Sequence, residues 1–161
     1  MGYDIYTIDA DAQLAEKFAR DYGYGYMFNQ KVTIEQMTGE EAMTIPADAK
    51  YEGDGRVYFR SNIWGMAELR QWVAAVHDFA HKGEDNEAVY EAYGVLLKKI
   101  SFNDGEVITP EEIDMLFKDA GKLDNTETDK IYEMLDGKPQ LLDEWIDFLT
   151  AARKLGGAQV W

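Results

Sequence analysis

Alternation of apolar and polar side chains predicts a strand near the start of the chain. Residues 3–8 are rich in aromatic and β-branched side chains and alternate between two faces, which is typical of a short strand. Leu14, Phe18 and Tyr22 then recur at the spacing of one helical turn. This spacing predicts an amphipathic helix that ends near Gly23.

A second alternation, of aromatic residues with glycine and methionine, covers residues 22–28. Interpreted as a strand, it places four rings on one face, those of Tyr22, Tyr24, Tyr26 and Phe28. Such a face is able to stack bases or sugars, but a strand face covered by a helix is the commoner outcome. The role of this run therefore stays open.

The middle of the chain predicts turns, a strand and a long helix. Capping boxes at residues 33–36 and 38–41 predict short helical turns. The turn residues 53–55 precede residues 56–60, which predict the second strand of a hairpin. From about residue 66 to residue 81 the pattern is helical, with an apolar stripe formed by Met66, Leu69, Val73, Val76 and Ala80.

A polar, glycine-containing joint at residues 82–86 predicts a boundary between two subdomains. Residues 1–82 carry a formal charge of −5 and most of the aromatic side chains, whereas residues 83–161 carry −10 and show mainly helical periodicity. We therefore expect an α+β fold that is mainly helical. Short antiparallel strands should pack on helices in subdomain 1–82, and a helical pair should form the acidic subdomain 83–161.

The chain after the joint has the plan of a helix, a loop and a helix. Helical stripes over residues 89–100 and 113–120 flank the loop, residues 101–112. The end of this loop, Val107-Ile108-Thr109-Pro110-Glu111-Glu112-Ile113, resembles the EF-hand family. In that family, position 8 of the loop forms a short strand that pairs with the partner loop, and position 12 is a bidentate calcium ligand. The resemblance gives these two positions to Ile108 and Glu112.

A second unit of the same kind is predicted around residues 131–152, so the resemblance covers roughly residues 87–155. Two EF-hand units normally pack face to face, and the groove between their helices is able to hold an amphipathic helix. The same apolar residues would also suit a plain core. The groove walls that the resemblance implies are Leu97, Met115, Leu116, Met134, Trp145 and Phe148.

The candidate calcium ligands implied by the resemblance are Ser101, Asn103 and Glu112. The first loop departs from the family pattern, because Gly105 offers no side-chain ligand at position 5 and Glu106 replaces the glycine of position 6. The second loop, residues 136–144, is shorter than the 12 residues of the family. We therefore expect no cofactor, and keep a calcium sensor or buffer as an alternative.

The sequence His77-Asp78-x-x-His81 forms a second candidate metal site. Helical residues at i and i+4 share a face, so His77 and His81 would be able to bind one metal ion. The pattern resembles the zinc-protease helix, with Asp78 in place of the catalytic glutamate. It leaves a metal-dependent hydrolase as another alternative, beside two histidines that simply face the C-terminal end of a helix.

Composition favours binding over catalysis. The 161 residues include 31 Asp and Glu against 16 Lys and Arg, a formal charge of −15, which excludes a general binder of nucleic acid or of anionic membranes. The chain has no cysteine, so disulfides and thiolate chemistry are excluded. No apolar segment reaches 18 residues and no signal-peptide pattern is visible. We therefore expect a cytoplasmic location.

The expected function is a non-catalytic, acidic module that docks on a basic surface of another protein, without direct contact to nucleic acid or membrane. Two short blocks, residues 1–6 and 58–66, resemble small uncharacterised actinobacterial and phage proteins. That resemblance carries no known activity and bears only on the source of the chain. The charge of −15 favours one version of the function: a phage-encoded or regulatory inhibitor, in the host cytoplasm if it is viral, whose carboxylates imitate the phosphates of nucleic acid.

Overall fold

Helices dominate the fold, and four short strands form one sheet beside them. The structure is a computed structural model that describes residues 2–28, 45–135 and 139–161. The helices are α1 (Ala12–Tyr22), α2 (Ile63–Ala80), α3 (Glu87–Lys99), α4 (Pro110–Ala120), α5 (Asn125–Met134) and α6 (Pro139–Lys154). The strands are β1 (Gly2–Thr7), β2 (Tyr58–Asn62), β3 (Val107–Ile108) and β4 (Ala158–Val160). The predicted α+β, mainly helical fold class is confirmed, whereas the turns predicted at residues 33–41 lie outside the described residues.

All neighbouring strands of the sheet are antiparallel, in the order β2-β1-β4-β3. Alternate residues of β1, namely Tyr3, Ile5 and Thr7, are buried. Ile5 lies opposite Phe59 of β2 and Val160 of β4, and all three side chains are completely buried. The sheet thus joins strands from residues 1–82 with β3 and β4 from residues 83–161.

Two strand pairings differ from those expected. β2 pairs with β1 rather than with a strand before the turn at residues 53–55. Ile108 of β3 lies opposite Ala158 of β4, whereas the EF-hand resemblance implied a pairing with the loop between α5 and α6. The reason lies just after α6, where Gly156 and Gly157 have φ values of 78° and 98°. This turn, open mainly to glycine, brings β4 between β1 and β3.

Helix α2 is the centre of the helical layer. It begins at Ile63, before the predicted start, because the Asn62 side chain accepts a hydrogen bond from Gly65 N and caps the helix. It packs against α3, α4, α5 and α6, and also against β1 and β2. Both helices of each unit predicted after the joint therefore rest on α2. The predicted stripe is buried at Met66, Leu69, Val73 and Val76.

The aromatic run at residues 22–28 is not a strand. Helix α1 enters it and stops at Gly23, which has a left-handed φ of 75°, and the 3-10 turn Gly25–Met27 follows. The rings gather around Tyr24, whose ring centroid lies 5.8 Å from that of Tyr26 and 5.9 Å from that of Phe18. The alternation in the sequence therefore reflects ring packing after a helix rather than one face of a strand.

Candidate functional site

Two of the candidate calcium ligands donate hydrogen bonds to backbone carbonyl oxygens. Ser101 Oγ donates a hydrogen bond to the carbonyl oxygen of Leu97 at 2.6 Å. Asn103 Nδ2 donates to the carbonyl oxygen of Gly2 at 3.4 Å. Asn103 thereby ties the loop to the start of β1.

Glu112, the third candidate ligand, caps helix α4 and pairs with a lysine. Its Oε1 accepts hydrogen bonds from Thr109 N at 3.2 Å and from Thr109 Oγ1 at 3.0 Å, and Glu112 N donates back to Thr109 Oγ1. The ammonium of Lys99 lies 2.5 Å from the same Oε1, and each of these two charged side chains is only 16% exposed. An internal ammonium therefore neutralises the carboxylate that the EF-hand resemblance assigns to calcium.

The six predicted groove residues do not share one exposed surface. Three of them are core residues, less than 3% exposed: Leu116, Trp145 and Phe148. Leu97 and Met115 are partly buried against the core, whereas Met134 is 52% exposed. Burial in the core explains the helical spacing of Leu116, Trp145 and Phe148 in the sequence.

The end of helix α2 places both histidines of the predicted metal motif on one face. The ring centroids of His77 and His81 lie 5.6 Å apart. His81 caps the helix, and its Nδ1 lies 2.8 Å from Glu84 Oε2. Its Nε2 lies 2.8 Å from Asp119 Oδ2. Both ring nitrogens of His81 therefore face carboxylates.

Asp119 is a buried carboxylate held by three side chains. It is only 4% exposed. Tyr93 OH donates a hydrogen bond to Asp119 Oδ2 at 2.7 Å, and Lys122 Nζ lies 3.1 Å from Oδ1; His81 is the third partner. Because a buried charge is stable only when it is paired and hydrogen-bonded, this network fastens α2, α3 and α4 to one another.

The network shifts the pKa of three of its members. The hydrogen bond to Glu84, and to a smaller extent the hydrogen bond to Asp119, raise the pKa of His81. Burial works to raise the pKa of Asp119, but its hydrogen bonds, first the one from Tyr93, outweigh burial and hold that pKa below its usual value. Burial, followed by the hydrogen bond to Asp119, raises the pKa of Tyr93. These shifts favour an imidazolium between two carboxylates.

The spacing of residues in the sequence predicts the two histidines of the site, but it does not predict Tyr93 or Asp119. Tyr93 belongs to an apolar stripe, and Asp119 is one of many acidic residues. One signal was present, because the buried residues of α4 are Ile113, Leu116 and Asp119 at a spacing of three, so a carboxylate takes a core position. No pattern in the sequence links Asp119 to His81, which lies 38 residues away.

A cleft of about 420 Å³ opens beside this network at the joint between α2 and α3. Residues 84–87 line it together with His77, His81 and Tyr90. The Tyr90 side chain is 70% exposed, and its ring centroid lies 6.1 Å from that of His77. Three carboxylates, two imidazoles and an exposed phenol ring thus surround one space, which we call the joint cleft.

Within residues 2–28, 45–135 and 139–161, no group of three or more His, Asp or Glu side chains is placed to hold a metal ion. His77 Nδ1 instead lies 3.1 Å from Asp78 Oδ1 of its own helix.

Comparison of the chain with protein-family models, curated proteins and solved structures gave no significant match. Over the part of the chain that the structure describes, no helix combines the length and the apolar character needed to cross a membrane. Because no relative suggests a function, the function proposed below is inferred from the geometry and charge of the joint cleft.

Removal of the His81 imidazole is expected to lower stability in a pH-dependent way. The folded-state pKa of His81 is raised above its ordinary value of 6.5. Its stabilising contribution is therefore fully present below about pH 6.5 and is lost as the pH rises through the folded-state pKa. In urea titrations, His81→Gln should be less stable than the wild type by about 1–2 kcal/mol at pH 6, and the difference should shrink towards pH 9.

The matched control is His77→Gln, which removes the other imidazole of the motif, whose carboxylate neighbour Asp78 is exposed. At pH 6 it should lower stability by less than His81→Gln does, because its partner carboxylate is exposed. A His81→Gln difference that is the same at pH 6 and pH 9 would contradict the prediction.

Proposed function

We propose that this chain is a non-catalytic, acidic binding module that docks on a basic surface of another protein through the α2–α3 joint. The observation that carries the proposal is the joint cleft, which presents three carboxylates in a chain of formal charge −15. Residues 78–91 contain five acidic residues and one basic residue. Cationic groups on a partner are the chemistry that complements such a surface.

The acidic residues of the joint are exposed and close in sequence. Glu84, Asp85 and Glu87 all lie on the surface, and Glu84 is held by His81. Among the described residues, no lysine or arginine forms an ion pair with Asp85 or Glu87. A cationic partner relieves the repulsion between these neighbours and is steered towards them by their field, so both the affinity and the association rate should depend on salt.

Fluorescence anisotropy with a labelled peptide rich in lysine and arginine tests this proposal. The wild-type chain should bind the peptide at low salt and lose affinity as salt increases, and a peptide rich in glutamate should not bind. The variant to compare is the triple replacement Glu84→Gln/Asp85→Asn/Glu87→Gln. At about 0.15 M salt, where screening acts over about 8 Å, it should bind at least about tenfold more weakly, because it loses charge-assisted contacts.

A matched control removes the same charge from exposed positions of α5 and α6. This triple replacement, Asp129→Asn/Glu133→Gln/Asp143→Asn, should change the affinity no more than about twofold at the same salt concentration. Equal losses in the two triples would show that net charge acts without a specific face. Absence of binding to the basic peptide at low salt would overturn the proposal.

A further inference from the structure

We infer that the joint cleft binds one arginine side chain of the partner, an inference that rests on the proposed function. A guanidinium is planar, stacks on aromatic rings and presents five N–H donors at its edge. The joint cleft offers a counterpart to each of these properties. The ring of Tyr90 supplies a flat wall, and residues 84–87 supply carboxylates around the same space of about 420 Å³.

Tyr90 is an exposed aromatic side chain at a cavity wall. It is 70% exposed and lies in the first turn of α3, and its ring is tilted 65° to that of His77, with 6.1 Å between the ring centroids. A guanidinium within about 6 Å of such a ring is attracted to its face. The aliphatic stem of an arginine would also cover apolar surface of the phenol ring that water now contacts.

Glu84 is held in place before any partner arrives. Its Oε2 bonds to His81 at 2.8 Å, and His81 is itself fixed by the buried Asp119. His81 uses only this one oxygen of Glu84, so the other oxygen is available to a guanidinium. Preorganised carboxylates lose little side-chain entropy on binding.

The turn that carries the remaining carboxylates is also fixed. Asn86 caps α3, since its side-chain oxygen accepts a hydrogen bond from Val89 N at 3.3 Å. This cap holds Asp85 and Glu87 on either side of Asn86. With carboxylates at three positions, the multiple donors of a guanidinium satisfy more acceptors than the compact ammonium of lysine does.

The charges that face the joint cleft favour a cation overall. His81 contributes an imidazolium when it is protonated, and three carboxylates of residues 84–87 oppose it. Arginine keeps its charge at every physiological pH. The selective property should therefore be the shape and donor pattern of the guanidinium, since any cation would share the net attraction.

Three capped tripeptides, Gly-Arg-Gly, Gly-Lys-Gly and Gly-citrulline-Gly, test the inference with the full chain. Ring resonances of His77 and Tyr90 report binding in NMR titrations. The arginine peptide should bind with a roughly millimolar Kd, as one small side chain can achieve. The lysine peptide should bind about threefold more weakly or worse, and citrulline, which keeps the shape without the charge, at least about tenfold more weakly.

Substitutions of Tyr90 measure how much stacking on its ring contributes to binding, apart from the contribution of the carboxylates. Tyr90→Ala should weaken binding of the arginine peptide about three- to fivefold, and Tyr90→Phe should restore it. The control Tyr132→Ala removes another exposed tyrosine, on α5, and should have no effect. Circular dichroism confirms that each variant is folded.

The outcomes distinguish this inference from the proposed function. The inference is overturned if lysine binds as well as arginine, or if Tyr90→Ala leaves the affinity unchanged. The proposed function still stands in that case if the basic peptide binds the wild type but does not bind the Glu84/Asp85/Glu87 triple variant. Failure of the basic peptide itself to bind at low salt overturns both.

Discussion

Gly157→Ala is expected to lower the free energy of unfolding by about 3 kcal/mol or more. Gly157 has a φ of 98°, a conformation that costs an alanine about 1–2 kcal/mol. A Cβ at this position would lie 2.3 Å from the carbonyl oxygen of Ile108 in β3. That oxygen belongs to the backbone of the adjacent strand, so relief of the overlap requires β3 and β4 to separate, and overpacking of this kind adds about 1–3 kcal/mol.

Urea denaturation measures this loss, and Gly94→Ala is the matched control. Gly94 lies within α3, where an added Cβ meets no atom within 4 Å. Because alanine favours the helix, Gly94→Ala should raise stability by about 0.5–1 kcal/mol. A loss below about 1 kcal/mol for Gly157→Ala would mean that β4 does not hold its position against β3 in solution.

The turn at Gly157, which leads into β4, belongs to the part of the fold that the sequence could not predict. Strand β1 and helices α1 and α2 follow from periodicity, because each has enough residues to show a repeating pattern. β3 and β4 have two and three residues, too few for any period. Their pairing depends on contact between residues far apart in the chain, such as Ile108 with Ala158, which propensity does not encode.

The candidate site also has a part that the sequence could predict and a part that it could not. The spacing of His77 and His81 placed both rings on one helical face, as the structure has them. Their partners could not be predicted, because Tyr93 and Asp119 come from other helices that meet α2 only in the folded chain. Glu112 combines a contact that the sequence predicts with one that it does not. Its capping box with Thr109 follows from the sequence, but the ion pair with Lys99 depends on the packing of α3 beside the loop.

Glu144→Gln is expected to stabilise the protein above neutral pH. Glu144 lies on α6, partly buried, and is hydrogen-bonded to the hydroxyl of Tyr24. Burial raises its pKa to about 7, although the bond from Tyr24 works to lower it. A glutamine keeps the size of the side chain and an acceptor for Tyr24, and it removes the charge that burial disfavours.

The sign of the pH dependence follows from the raised pKa. In the unfolded chain Glu144 loses its proton near pH 4.5, whereas in the folded chain it does so near pH 7. The folded state therefore binds more protons between these values, and the wild type loses stability across this window as the pH rises. Wild type and Glu144→Gln should have similar stability near pH 4.5, and the variant should be more stable by up to about 3 kcal/mol at pH 8.

Asp143→Asn is the control for a general relief of negative charge. Asp143 precedes Glu144 on the same helix and is exposed, so its replacement removes one charge without changing a buried group. Its effect should stay within about 0.5 kcal/mol at pH 8. If Glu144→Gln instead destabilised the protein equally at pH 5 and pH 8, the negative charge of Glu144 would stabilise its contact with Tyr24, the residue that follows the end of α1 at Gly23.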